Sequence, residues 1–282
     1  MDRSFSPSVV AERFERDGFV FPIPVLATGE ALAARDEFLG LMASDPRTET
    51  YSRTHTHLIF PLVDRITRNG HILDAVEAVL GPDILLWGAG FFLKPPMSES
   101  YISWHQDLKY WGLDGTDEVT AWLALSVADE ANGCMRFVPG SHRRGMVAHA
   151  DTFADTNMLT RGQEIAVDVE EGDAVPVVLR PGELSLHHGR MFHASGANRT
   201  DAWRVGLAMQ YITPAMRQVV ASRDYAQLVR GEDSHGHFQP LPRPRMNFDP
   251  EGLAAYKKVT LAQREALYQG AAQRPDDDTL SA

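Results

Sequence analysis

Trp104-His105-Gln106-Asp107 and, far downstream, Phe192-His193-Ala194-Ser195 are the two stretches on which the reading of this chain turns. In an extended strand successive side chains alternate faces, so His105 and Asp107 project to the same side. One imidazole and one carboxylate on a common face leave room for a third donor, and His193 supplies it if the fold brings the two strands together. By the same alternation His193 and Ser195 share a face. A bare His-x-Asp is a weak signal, and the chain holds a second one, His149-Ala150-Asp151. That pair follows the polar run 139–145 with no strand pattern around it, and reads as a surface loop.

The 282 residues are enough to bury a substantial core, and 44% hydrophobic with 23% charged residues is ordinary for a globular chain. A formal net charge of −11 argues against nucleic acid and anionic membrane surfaces as partners. The lone cysteine, Cys134, rules out an intrachain disulfide or a cysteine-only metal cluster and reads as a core residue. No apolar run approaches the roughly 20 residues that span a bilayer, and the opening residues lack the basic-then-apolar order of a signal peptide. A cytoplasmic protein is expected.

Ser6-Pro7 reads as an N-cap with proline at the first helical position, and Gly18 stops that helix. A short strand at Phe19-Val20-Phe21 and a second helix, from near Thr28 to Asp45-Pro46, follow. Alternation over 51–57 places Tyr51, Arg53, His55 and His57 on one face; the segment is either a solvated edge strand or a cationic wall facing substrate. A third helical pattern, Val63 to Val79, is interrupted at Asn69-Gly70. From Gly81 onward the period changes: short apolar runs separated by turn residues indicate a mixed α+β, mainly β fold, a sandwich or barrel with helices packed outside. After Pro214 the pattern is mixed; a Gly/Pro-rich loop at 231–244 holds His235 and Phe238, and Asp249-Pro250 opens a last helix. Residues 1–274 read as one domain, and 275–282 as a disordered tail.

Two histidines and one carboxylate on one side of a metal, with open positions opposite, is the arrangement of non-heme Fe(II) oxygenases. The company of His105 and Asp107 is more specific than the pair itself. Trp122, Asn132-Gly133-Cys134, Pro139-Gly140-Ser141-His142, Pro181-Gly182-Glu183, His193-Ala194-Ser195-Gly196-x-Asn198 and Arg204 follow in that order. As an ordered set they resemble the phytanoyl-CoA dioxygenase-like (PhyH) family of Fe(II)/2-oxoglutarate oxygenases, from about Phe14 to about Tyr211. The resemblance implies a double-stranded β-helix (a jelly-roll, cupin-like barrel) with packed N- and C-terminal helices. It implies His105, Asp107 and His193 as iron ligands. Arg204 then binds the far carboxylate of 2-oxoglutarate, assisted by Ser195, with Trp122, Gln106 and Lys94 lining the cosubstrate pocket. A guanidinium suits that task because it offers a planar bidentate fork. The apolar neighbours of Arg204 place it on a partly buried strand, expected beside that of Ser195 after the turn 196–201.

His187 and His188 lie close to His193, but alternation turns only one inward, and they read as structural or ligand-orienting groups. His142 is expected to cap the Pro139-Gly140 turn. The reaction implied is decarboxylation of 2-oxoglutarate by O2 coupled to hydroxylation, and the presence of Asp107 favours hydroxylation over halogenation. With no basic cluster beyond Arg143-Arg144, a small polar metabolite is expected rather than a coenzyme-A thioester. Tyr51, Arg53, His55 and His57 are its candidate contacts, and His235 and Phe238 a candidate lid. A cupin-like isomerase or binding module that needs no 2-oxoglutarate is the rival reading. The sequence leaves the oligomeric state, a homodimer included, open.

Overall fold

The run Arg204–Ile212 is nearly unbroken in apolar character because both faces of its strand are covered. In the computed structural model, which describes residues 5–271, it is the centre of a seven-stranded sheet. The strands are β1 (Phe19–Pro24), β2 (Ile84–Lys94), β3 (Ile102–His105), β4 (Glu118–Ala124), β5 (Met135–Phe137), β6 (His149–Asp151) and β7 (Gln163–Ile165). They continue as β8 (Val175–Pro176), β9 (Glu183–His187), β10 (His193–Ser195), β11 (Arg204–Ile212), β12 (Tyr225–Arg230) and β13 (Gln239–Pro240). The large sheet has the order β1-β9-β4-β11-β2-β12-β13, a four-stranded sheet the order β3-β10-β5-β8, and β6 and β7 form a separate hairpin. All neighbours are antiparallel except β12 and β13.

Alternation sorts the large sheet into two functions. Val119, Ala121 and Leu123 of β4, Leu184 and Leu186 of β9, and Leu207, Met209 and Tyr211 of β11 face the helices in one core. The helices on that side are α1 (Pro7–Asp17), α2 (Thr28–Ser44), the short α3 (Arg47–Thr50), α4 (Pro61–Thr67) and α5 (Gly70–Leu80). The intervening residues, Trp122 and Ala124 of β4 and Ala208 of β11, point the other way and pack with Met135, Phe137 and Val177 between the two sheets. Truncating one of the fully buried leucines of the helical core is expected to cost about 2–5 kcal/mol. The last helix, α6 (Pro250–Leu267), packs Ala255 and Val259 on Leu58, while its Leu253 and Tyr256 reach the main core.

Local chemistry sets most boundaries as the residues predict. Pro7 opens α1, and Gly18, at φ 83°, closes it with its N–H donating to Phe14 O. Ser6 sits at the N-cap position but makes no side-chain cap bond. Asn69 divides α4 from α5 and caps the latter by accepting from the N–H groups of His71 and Ile72. Asp249 caps α6, with Pro250 at its first turn.

The structure corrects four local expectations. Residues 51–57 are no strand: the chain leaves α3, bends, and enters a 3-10 turn (Thr56–Leu58) with His55 in the left-handed region at φ 48°. The 149–151 segment is strand β6, paired with β7. Tyr225–Arg230, read as mixed, is β12 and pairs with β2. Phe238 is buried in a cluster with Trp87 and Trp111, not on a lid. The tail expected to be disordered, 275–282, lies outside the described residues. Among those residues no helix is long and apolar enough to cross a membrane.

Candidate metal centre

His105 and His193 are direct cross-strand partners on β3 and β10, which brings their rings to 4.0 Å between centroids. Asp107 lies two residues beyond, at the start of a 3-10 turn (Asp107–Tyr110) and not on the strand. The turn nevertheless returns its carboxylate to the imidazoles: Oδ1 is 3.2 Å from His105 Nε2 and 3.6 Å from His193 Nε2. These three donor atoms lie within 4.8 Å of one another, the group of three or more metal-ligating side chains found among the described residues.

The second nitrogens settle which atoms face inward. Nδ1 of His105 bonds Ser103 O at 2.9 Å, and Nδ1 of His193 bonds Met191 O at 3.0 Å. Backbone carbonyls only accept, so both Nδ1 atoms carry the proton and both Nε2 lone pairs point at the common centre. Burial, with His105 alongside, pushes His193 well below the usual imidazole range. Burial works against ionisation of Asp107, but His193, His105 and His187 outweigh it and hold the carboxyl below its usual range. A divalent cation needs a free imidazole lone pair from each histidine and an ionised carboxyl, and the Nδ1–carbonyl bonds leave both Nε2 atoms available for it. Thr120 Oγ1 donates to the other carboxylate oxygen, Asp107 Oδ2, at 3.2 Å, and His187 Nε2 lies 3.6 Å from it.

The centre opens into a cavity of about 550 Å³ between the sheets, which Ser195, Trp122 and Arg204 also line. Arg204 is 1% exposed and faces Lys94 across the β11–β2 ladder, so it is not on the strand next to Ser195. Between Ser195 and Arg204 the chain passes from the small sheet to the large one, and the arginine reaches back across the gap. Its Nη1 donates to Gly133 O at 2.7 Å, its guanidinium sits 5.5 Å from the Trp122 ring, and Nε has no partner. Among the described residues no carboxylate lies within ion-pair distance of it. Burial without a counter-ion pushes its pKa from 12.5 down to about 10.

Lys94 is fully buried beside Arg204, but its Nζ is turned to Ser195 Oγ, at 2.8 Å, and to Gly196 O, behind the cavity wall. Burial and the neighbouring guanidinium push it down to about 6. Gln106 departs from the expectation of a cosubstrate contact. It is wholly buried, donates to Gly145 O and Arg190 O, accepts from Val147 N, and so holds together the loops on either side of the ligands. His149, in the second His-x-Asp, accepts from the Gln106 N–H, and its companion Asp151 pairs with Arg161. His187 turns into the cavity while His188 turns out, stacking on Phe14 and approaching Glu118 at 3.2 Å. His142 bonds Glu15 O of α1 instead of capping its own turn.

The candidate substrate residues divide. Arg53 and His55 line the cavity; Tyr51, His57 and His235 do not. Tyr51 packs edge-on against Tyr256 and Phe248, and His57 is fully enclosed. His235 lies on a separate shallow depression beside Pro82 and Asp83. There is no cationic wall: burial pushes His55 down to about 4 and His57 well below its usual range. The 53–55 segment approaches because Gly90 admits it; a Cβ there would meet Arg53 O at 1.8 Å. What sequence reasoning missed is α6, whose Tyr256, Thr260, Gln263, Arg264 and Leu267 form part of the cavity wall. Asp249-Pro250 marks the start of this helix in the sequence, but nothing local marks the cavity as what it packs against. The cavity wall also includes Trp87, Tyr110 and Trp111.

Comparison with known proteins gives a consistent picture. The family model described as phytanoyl-CoA dioxygenase (PhyH) matches residues 14–206. The chain is 32% identical over 160 residues to a probable alpha-ketoglutarate-dependent hypophosphite dioxygenase of Stutzerimonas stutzeri, covering 55% of this chain and 54% of that protein. It is 30% identical over 147 residues to the peroxisomal phytanoyl-CoA dioxygenase of Homo sapiens, covering 50% and 43%. The chain thus spans about half the length of the curated relatives it matches. Among solved structures, the non-heme monooxygenase ThoJ in its apo form superposes with a TM-score of 0.83 at 38% identity, over 92% of this chain and 98% of that one.

Proposed function

Because the chain belongs to the phytanoyl-CoA dioxygenase (PhyH) family, we propose that it is an iron(II)- and 2-oxoglutarate-dependent dioxygenase that oxidises an unactivated C–H bond. Its two larger sheets correspond in this reading to the two halves of a double-stranded β-helix, or jelly roll. One observation carries the proposal: a single cavity holds the His105, Asp107 and His193 donors together with Arg204, a buried guanidinium with no carboxylate at ion-pair distance among the described residues. The donor set fits iron in chemistry and in tautomer, and a dicarboxylate supplies the charge that Arg204 lacks.

His105, Asp107 and His193 would hold iron(II), which when bound supplies dioxygen activation at the expense of 2-oxoglutarate, released as succinate and carbon dioxide. The protein's own groups do the rest. Arg204 takes the far carboxylate of 2-oxoglutarate in a two-pronged hydrogen bond, and Ser195, held by Lys94, adds a hydroxyl beside it. Trp122 backs the guanidinium and keeps water from it. Thr120 holds the outer oxygen of Asp107 and so fixes which oxygen faces the metal. The aromatic wall excludes water and orients the substrate C–H bond.

A second outcome on the same machinery has support in the structure of SnoN, described as an alpha-ketoglutarate-dependent epimerase, 25% identical with a TM-score of 0.61. In that reading the C–H bond is broken and re-formed with inverted configuration instead of being hydroxylated, an external reductant such as ascorbate or a thiol supplying the returning hydrogen and the electrons that balance the oxidant. A cupin-like isomerase or binding module without 2-oxoglutarate would leave Arg204 buried with no anion to meet. Anaerobic titration with Fe(II) and 2-oxoglutarate, followed by the metal-to-ligand charge-transfer band, separates these readings from the first two. Absence of the band, or of succinate on admitting air, refutes the proposal.

A further inference from the structure

Beyond the three candidate ligands and Arg204, the cavity wall carries a large aromatic surface among polar residues such as Gln163 and Gln210. Trp87 and Trp111 lie against each other with ring centroids 4.8 Å apart, and both line the cavity. The polar edge of Trp87 is satisfied within the protein, because Nε1 donates to Asp224 Oδ2 at 2.8 Å, so the ring offers the cavity an apolar face. Tyr110 and Leu159 extend this wall. α6 adds Tyr256, Thr260, Gln263 and Leu267, residues at helical spacing on one stripe.

Three contacts seat that stripe over the cavity. Tyr256 and Thr54 pair their hydroxyls at 3.3 Å, Gln263 Nε2 donates to Asp224 Oδ1 at 3.0 Å, and Arg161 Nη1 donates to Leu267 O at 2.6 Å. The charges on the lining are equally informative. Among the described residues Asp107 is the only carboxylate that lines the cavity, and it belongs to the metal centre, while Arg53 and Arg264 also line it. A cationic substrate would meet no counter-charge there. A cavity of about 550 Å³ also exceeds the needs of a five-carbon diacid by a wide margin.

We propose that the substrate is a bulky, largely apolar molecule without positive charge, its body laid against Trp87, Trp111 and Tyr256, and that the inner stripe of α6 sets its size limit. The inference rests on the dioxygenase reading for what happens to that molecule, but not for its binding. Thr260 faces the cavity from the middle of the stripe and is half-buried, so a larger side chain there intrudes on the substrate space without disturbing the metal or Arg204.

The test uses N-phenyl-1-naphthylamine, an uncharged pair of linked aromatic units whose emission rises in apolar surroundings. It is titrated into the full chain loaded anaerobically with Fe(II) and 2-oxoglutarate. Saturable binding at one site is expected, weakened about tenfold or more in Thr260→Trp and by an intermediate factor in Thr260→Leu, as overpacking predicts. Both variants are expected to keep the charge-transfer band, which also reports their folding. Millimolar L-lysine and glycine betaine, one cationic and the other small and bearing a quaternary ammonium, are expected to leave the probe in place. Binding that fails to saturate, binding unchanged in the tryptophan variant, or displacement by either small molecule would overturn the inference. Probe binding without a charge-transfer band in the parent protein would sink the dioxygenase reading alone; the band without probe binding would sink this one alone.

Discussion

Replacing Arg204 with methionine is expected to make the protein without 2-oxoglutarate slightly more stable while stripping it of its response to that acid. Methionine keeps the length of the aliphatic stem and removes the charge. The depression of the guanidinium from 12.5 to about 10 corresponds to about 3 kcal/mol spent on burying it. Against this stand the lost hydrogen bond to Gly133 O, about 1 kcal/mol, and the lost contact with the Trp122 face, about 0.5–1 kcal/mol. The balance favours the variant by about 1 kcal/mol, or roughly 2–4 °C in melting temperature for a chain of this size. For the cosubstrate the sign reverses. Two charge-assisted hydrogen bonds at about 1.5–3 kcal/mol each are lost, so the dissociation constant rises by about 10² to 10⁴. Differential scanning calorimetry with zinc in place of iron, with and without 2-oxoglutarate, reads both effects. A variant that melts lower than the parent in the absence of 2-oxoglutarate, or that still gains stability from it, refutes the reasoning.

Three further perturbations test other parts of the structure. Glu118 is buried, accepts from Gly189 N at 2.7 Å through Oε1, and has no partner at Oε2; burial pushes it from 4.5 up to about 8. Its folded-state pKa lies above the unfolded one, so its contribution is full below pH 4.5 and is lost as pH rises to about 8, by about 3 kcal/mol at pH 7. Glu118→Gln is expected to remove that slope, and identical melting curves for the two proteins between pH 6 and 8.5 would contradict the assignment. Gly206→Ala places a Cβ 1.8 Å from Trp122 Cζ2, so the indole must shift beneath Arg204. A destabilisation of about 1–3 kcal/mol is expected with weaker 2-oxoglutarate binding, and an unchanged charge-transfer titration would remove Trp122 from the pocket wall. Arg161→Ala releases Leu267 O and leaves Asp151, with 15% of its side chain exposed, unpaired, at about 2–3 kcal/mol. Hydrogen exchange in the last turn of α6 should quicken, and unaltered protection there would show that the arginine does not hold the helix down.

That His105, Asp107 and His193 come together is legible in the sequence through strand alternation and, more specifically, through the ordered motifs that carry the family resemblance. His105 and Asp107 are two residues apart, and the third donor had a strand of its own with Ser195 in phase. The route by which Asp107 arrives differed, since the strand stops at His105 and a 3-10 turn delivers the carboxylate. The polar residues of 51–57 alternate as a strand would, yet the chain turns there with His55 in the left-handed region, a choice made by the close approach to Gly90. The family resemblance places Gln106 in the pocket wall, but next to the inward-facing His105 its side chain turns away into the loops. Arg204 reaches the cavity, but from the strand paired with β2, because nothing local in the sequence marks the passage from one sheet to the other. The part played by α6 depends on where the far end of the chain docks, which no periodicity reports.

The pairing of His105 directly across from His193 has a consequence for metal choice. The gap between the two imidazoles is inherited from the spacing of neighbouring strands, a dimension that is the same whether or not an ion is present. They act as the fixed jaw of a clamp. Asp107 sits on a single 3-10 turn outside the ladder, so if a metal binds as proposed, its carboxylate would be the adjustable jaw. On that reading, the preference among divalent metals is expected to depend on how stiffly Thr120 and the turn Asp107–Tyr110 hold the carboxylate.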